Sequence, residues 1–147
     1  MIERTTPQPI RLAVGGTSFN HIQCPGEQME VLVIFSYWPS DPYTVRMDVM
    51  VEGAPSVQPW EVSRETMSSA FASRGRMIGL GDFQMCVNGE RALLRLWNAH
   101  ARERESFDMW LPSAQVLNFL AHTQRVVPGG TEHQHLDIDA ELAALFA

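Results

Sequence analysis

Between residues 43 and 51 the apolar side chains fall on every second position. Tyr43, Val45, Met47, Val49 and Val51 share one side, and Thr44, Arg46 and Asp48 share the other. A period of two demands a half-buried β-strand, because neighbours on one helical face lie three and four residues apart. The alternation returns in Phe83, Met85 and Val87, and again in Phe107, Met109 and Leu111, which interleave with Ser106 and Asp108. Asn88-Gly89 stands between the strand at residues 83–87 and a returning strand at residues 91–97. That dipeptide is a strong hairpin signal and predicts a type I′ turn with positive φ at both residues.

The rest of the chain fits around these strands. Residues 10–14 form a short strand candidate stopped by Gly15-Gly16, and Cys24-Pro25-Gly26 reads as a turn. Residues 29–37 are apolar at nearly every position, which predicts a strand covered on both faces by its own fold or by another subunit. Asp41-Pro42 breaks the chain, and Pro59 gives the strand at residues 57–62 an edge position. Ser63 caps a helix reaching about Ser73, with Met67, Ala70 and Phe71 at helical spacing. Pro112 opens the first turn of a second helix, reaching about Arg125. Its polar stripe of Gln115, Asn118, His122 and Arg125 is narrow. Val116, Leu117, Phe119, Leu120 and Ala121 make the remaining arc apolar enough to be buried or in an interface. A last short helix, capped by Asp137 or Asp139, carries Ile138, Leu142 and Leu145. Strands followed by a helix, twice over, predict an α+β fold of antiparallel sheets with two main helices and a short C-terminal one. Residues 1–147 suit a single domain, with 1–9 a loose arm.

Composition narrows the chemistry. The net charge of −6 opposes a protein that works by neutralising phosphates. All 11 basic residues are arginine, which excludes a Schiff-base or P-loop lysine. The two cysteines, Cys24 and Cys86, are too few for a disulfide framework. The first residues lack a signal-peptide pattern, and no apolar run approaches membrane-spanning length, so a soluble cytoplasmic protein is expected. His133 and His135, with Asp137 and Asp139, form the best metal candidate, since on a strand the two histidines would share a face. A polar loop entering a capped helix is the simpler reading, and no metal or cofactor is expected. Asp41, Asp82, Asp108 and Glu132 are the candidate carboxylates for acid–base work, weak among 17 acids. Residues 75–81 carry three glycines without a phosphate-loop pattern and read as a turn. Arg91, Arg95, Arg102 and Arg104 with Trp97 and Trp110 suggest a single-strand stacking platform, but Glu90, Glu103 and Glu105 cancel its field. Core packing is the default reading of the four tryptophans, Trp38, Trp60, Trp97 and Trp110, with Trp38 and Trp110 as candidate interface anchors instead.

An ordered set of short segments adds a resemblance. It comprises Asp41-Pro42-Tyr43-Thr44-Val45, the stretch from Trp60 to Arg64, and Gly79-Leu80-Gly81-Asp82-Phe83. It continues with Val126-Val127-Pro128-Gly129-Gly130-Thr131-Glu132 and Leu136-Asp137-Ile138-Asp139-Ala140-Glu141-Leu142. In this order and spacing, over roughly residues 29–147, the chain resembles the SsgA-like proteins, sporulation and cell-division regulators of actinobacteria. The absence of lysine fits such a genome. One departure is that Trp60 is followed by Glu61-Val62-Ser63-Arg64-Glu65-Thr66-Met67, without the family's paired leucines. The resemblance implies a fold like the Whirly and mitochondrial guide-RNA-binding proteins, assembled as a bell-shaped homotrimer. It implies a non-catalytic role at the division septum, helping to localise the tubulin-like FtsZ machinery, with FtsZ or another family member as partner. On the same ground Asp41, Tyr43, Trp60, Arg64, Gly81, Asp82 and Glu132 become candidate partner-binding residues. A single-stranded nucleic-acid-binding module is the alternative that the fold likeness suggests.

Overall fold

The computed structural model describes residues 8–19, 28–54, 56–98 and 105–146, with backbone only at 138 and 141. The strands are β1 (Ile10–Phe19), β2 (Gln28–Tyr37), β3 (Thr44–Val51), β4 (Gln58–Ser63), β5 (Phe83–Asn88), β6 (Arg91–Asn98) and β7 (Glu105–Pro112). Helix α1 (Arg64–Ala72) follows β4, and α2 (Ser113–Val126) follows β7. A 3-10 turn at Glu132–His135 leads into α3 (Ile138–Leu145). The turn at Cys24, most of the N-terminal arm, and Arg102, Glu103 and Arg104 lie outside the described residues.

The strands form one sheet, in the order β4-β3-β2-β1-β7-β6-β5, antiparallel throughout. The α+β expectation holds, but separate sheets give way to two meanders, each closed by a helix and fused at a seam. Among the described residues the seam is where Thr17, Ser18 and Phe19 of β1 face Trp110, Met109 and Asp108 of β7. The predicted stop at Gly15-Gly16 fails, since β1 runs through both glycines to Phe19. Gly16 is required by close approach, because a Cβ there would collide with the Trp110 carbonyl oxygen and the Leu111 side chain.

Alternation decides what is buried. Val14, Val33, Phe35, Val45, Met47, Met85, Leu94 and Met109 point to one face and meet Val116, Phe119 and Leu120 of α2. The rings of Phe35 and Phe119 lie 5.4 Å apart. Pro59 sits on an edge strand, as its missing N–H demands. Among the described residues β2 is fully covered on one face only: Val31, Val33, Phe35 and Tyr37 are buried, while on the other side Leu32 is 40% exposed, Ile34 is half-buried and Ser36 is buried.

Two turn details depart from expectation. Asn88 pairs with Arg91, so the hairpin turn is Gly89-Glu90, with positive φ at Gly89 alone. That is the glycine-first pattern of a type II′ turn, not type I′. Helix α2 explains the register: the Ser113 N–H donates to the Glu90 carbonyl (2.8 Å), and its Oγ donates to the Gly89 carbonyl (2.9 Å). For the same reason Pro112 is not in the first turn. It completes β7 opposite Arg91 and acts as the N-cap. Ser63 caps α1 as predicted, its Oγ accepting from the Thr66 N–H at 3.2 Å.

Candidate functional site

Several of the singled-out residues converge where β2 and β4 end and α1 begins. The Ser63 cap makes Arg64 the first helical residue, and its side chain enters the interior, 1% of the residue remaining exposed. A buried guanidinium is tolerable only if its charge and donors are met. Here Nη1 donates to the carbonyls of Val127 (2.8 Å) and Thr123 (3.3 Å), at the C-terminal end of α2. Those carbonyls lie at the negative end of the helix dipole; the Thr123 carbonyl also accepts from the Val127 N–H at 2.8 Å, so Arg64 is its second donor. Nη2 donates to Glu132 Oε1 at 2.9 Å, and the guanidinium carbon lies 5.0 Å from the Tyr37 ring centre.

Each neighbour is fixed in turn. The Tyr37 hydroxyl donates to the Pro42 carbonyl (3.0 Å), and the Arg64 N–H donates to the Tyr43 carbonyl (2.9 Å). The turn at residues 41–43 is thereby anchored from beneath, leaving Asp41 and the Tyr43 ring exposed. Glu132 Oε2 accepts from the Gly130 N–H at 2.8 Å. Its carboxyl is held below the usual range by its own backbone N–H, by Arg64 and by the Gly130 N–H. Burial pushes the Tyr37 phenol up; Arg64 opposes this, and Glu132 and Asp41 add to it.

The structure therefore gathers Asp41, Tyr43, Arg64 and Glu132 around Tyr37, but offers only the first two freely to solvent. Arg64 is internal because its partners are the helix end and Glu132. Trp60 is half-buried on β4 opposite Met47. Gly81 and Asp82 belong to another place, the entry to β5. Gly81 turns there with φ +79°, and the Asp82 carbonyl accepts from the Trp97 N–H at 2.8 Å. Tyr37 escapes the sequence reading, where it is only the last residue of an apolar strand. A buried tyrosine's need for a hydroxyl partner is the signal that finds it.

The outer sheet face carries a second cluster. Arg95 forms a two-pronged pair with Asp108 across β6–β7, at 2.9 and 3.0 Å, which raises the Arg95 pKa. Trp97 Nε1 donates to Gln84 Oε1 at 3.0 Å, and Arg95 lies over the Trp97 ring. Of the candidate carboxylates, Asp108 and Glu132 are thus each held by an arginine, at separate places. His133 and His135 do not share a face as they would on a strand. They sit two apart on a 3-10 turn, where such residues point in different directions, and both are exposed. Asp137 caps α3 by accepting from the Ala140 N–H at 3.0 Å. Among the described residues no three His, Cys, Asp or Glu converge on one point, and no helix is long and apolar enough to cross a membrane.

With this geometry in view, comparison with known proteins is direct. The family model for the Streptomyces sporulation and cell division protein SsgA matches residues 31–132. That span runs from β2 through the Arg64 partner Glu132. The chain belongs to the SsgA family. It is 33% identical over 126 residues to the sporulation-specific cell division protein SsgB of Frankia casuarinae, covering 82% of this chain and 81% of the relative. It is 27% identical over 111 residues to SsgB of Streptomyces coelicolor, covering 76% and 78%. The fold matches the crystal structure of an SsgA-like sporulation-specific cell division protein from Thermobifida fusca. There the TM-score is 0.74 at 22% identity, covering 97% of this chain and 98% of the other. It also matches a structure described by mutations in SsgB that correlate to longitudinal cell division during sporulation of Streptomyces coelicolor. That match has a TM-score of 0.65 at 20% identity and covers 89% and 99%.

Proposed function

We propose that this SsgA-family chain is a non-catalytic adaptor of sporulation-specific cell division. It acts as a homotrimer in the cytoplasm at the septum and helps to localise the FtsZ machinery, directly or through another family member. The observation that carries the reading is family membership: both curated relatives are sporulation-specific cell division proteins over about four-fifths of their length. The geometry supports an adaptor. The best-organised polar cluster, around Arg64, joins parts of the fold and leaves the 41–43 turn as its exposed rim. The nucleic-acid alternative on a Whirly-like fold gains nothing from the outer face, where Asp108 holds Arg95 and neutralises it.

The experiment is a fluorescent fusion in a sporulating actinobacterium, combined with co-sedimentation of the purified chain with FtsZ polymers. The expected result is regular septal foci coincident with FtsZ. A fusion spread evenly at every stage, together with no co-sedimentation, overturns the reading.

A further inference from the structure

Helix α3 is short and apolar, and its described side chains are exposed. Leu142, Leu145 and Phe146 are 47%, 78% and 87% exposed, and α3 makes only marginal contact with other described elements. Leu142, Leu145 and Phe146 are spaced three and four apart at the end of α3, so they form one stripe. Scattered exposed leucines need no explanation, but three large apolar groups within five residues mark a contact surface. The segment is also acidic only: from Glu132 onward the chain holds Glu132, Asp137, Asp139 and Glu141, and no arginine.

A complementary surface exists on the same chain. The solvent side of α2 presents Ala114, Leu117 and Ala121, spaced three and four apart, with Leu117 41% exposed. Exposed Arg125 continues this stripe four residues beyond Ala121, with His122 beside it. Small alanines flanking one leucine let a second helix approach closely. An apolar stripe ending in a cation thus matches a stripe that follows acids.

We propose that α3 of one copy docks along the solvent side of α2 on another copy, packing Leu142, Leu145 and Phe146 against Leu117 and its alanines. Because the two stripes are different surfaces, the contact is head-to-tail: each copy gives α3 to one neighbour and receives it from another, a closed ring where the rotation returns to the first copy. The inference rests on the homo-oligomeric part of the proposed function and names its surface.

The test is light scattering coupled to size exclusion, on the full chain at micromolar concentration. The unsubstituted protein should run as one oligomer. Leu145→Glu and, separately, Leu117→Glu should each convert it to monomer. Both positions are exposed, so the far-ultraviolet circular dichroism of the folded chain should not change. A gentler pair guards the charge argument: Arg125→Asp and Asp139→Arg should each weaken assembly about two- to fivefold, the scale of an exposed ion pair, and together restore it. An oligomer unaffected by Leu145→Glu overturns this inference and leaves the oligomeric reading standing. Loss of assembly with Leu145→Glu but not Leu117→Glu also overturns it, since α3 would dock elsewhere. A monomer in the unsubstituted chain removes both.

Discussion

Two arginine–carboxylate pairs at similar distances do opposite work in this molecule. Arg95 and Asp108 face each other across adjacent strands, already in register through the ladder of β6 and β7. Their pair trims a surface the sheet has already built, and Arg95 keeps a 30% exposed side chain. Arg64 and Glu132 lie 68 residues apart in sequence, and Arg64 also reaches two carbonyls of α2. No ladder brings those segments together, so the guanidinium itself fixes where α1 starts, where α2 ends and how the chain leaves toward α3. The difference teaches that a salt bridge matters by what it joins: the first ties two strands the sheet already holds together, and the second ties a buried guanidinium to a helix end.

The sharpest way to break the comparison is Arg64→Ala. Removing one partner of a buried pair costs about 3–5 kcal/mol, because the remaining groups stay buried and unpaired. At roughly 2–4 °C per kcal/mol for a chain of this size, the thermal midpoint should fall by about 10 °C or more. Arg64→Lys should lose most of this as well, since an ammonium cannot serve the two carbonyls and Glu132 with one planar fork. If differential scanning calorimetry gives Arg64→Ala no larger a loss than Arg95→Ala, the contrast drawn here is wrong.

Arg64 also shows what was legible beforehand and what was not. The strands of β3, β5 and β7 were readable because alternation is a local property that burial enforces residue by residue. The cap at Ser63 and the edge position of Pro59 were readable because each follows from one residue's hydrogen-bonding capacity. The continuity of the sheet was hidden, because alternation says which face a residue occupies and not which strand lies beside it. The β1–β7 seam joins segments from opposite ends of the chain. Gly16 misled for a related reason: its lack of a side chain serves a close approach by Trp110, not a turn. At the site, family resemblance picked out Arg64 and Glu132 but assigned them outward. An arginine at the first position of a helix is ordinarily solvated, and nothing within ten residues of it reveals that Val127 and Glu132 will meet it.

Acid should weaken the inner pair. Glu132 titrates below its ordinary value in the folded chain, so its contribution is fully present at neutral pH. It fades as pH falls below about 4.3, the unfolded value, and is gone once pH passes under the lowered folded one. Urea titrations from pH 7 downward should show that slope, and Glu132→Gln should flatten it while costing less at pH 7 than Arg64→Ala. Tyr37 gives the opposite flank. Its raised phenol favours the folded state below about pH 10, and that advantage is lost as pH rises through the folded value. Tyr37→Phe should remove the alkaline slope and sacrifice the bond to the Pro42 carbonyl.

The outer pair should yield the smaller effect. Arg95→Ala leaves Asp108 only 5% exposed, so it costs more than an open surface pair, about 1–2 kcal/mol. Arg95→Ala and Asp108→Ala combined should then cost less than the sum of the two, by a coupling of about 1 kcal/mol. The same cycle on Arg64 and Glu132 should not close so simply. With both removed, the Val127 carbonyl still lacks the guanidinium donor, and the double variant should remain close to Arg64→Ala alone. A pair set across two strands that the sheet already holds empties more cleanly when both are deleted than a node that also holds a helix end.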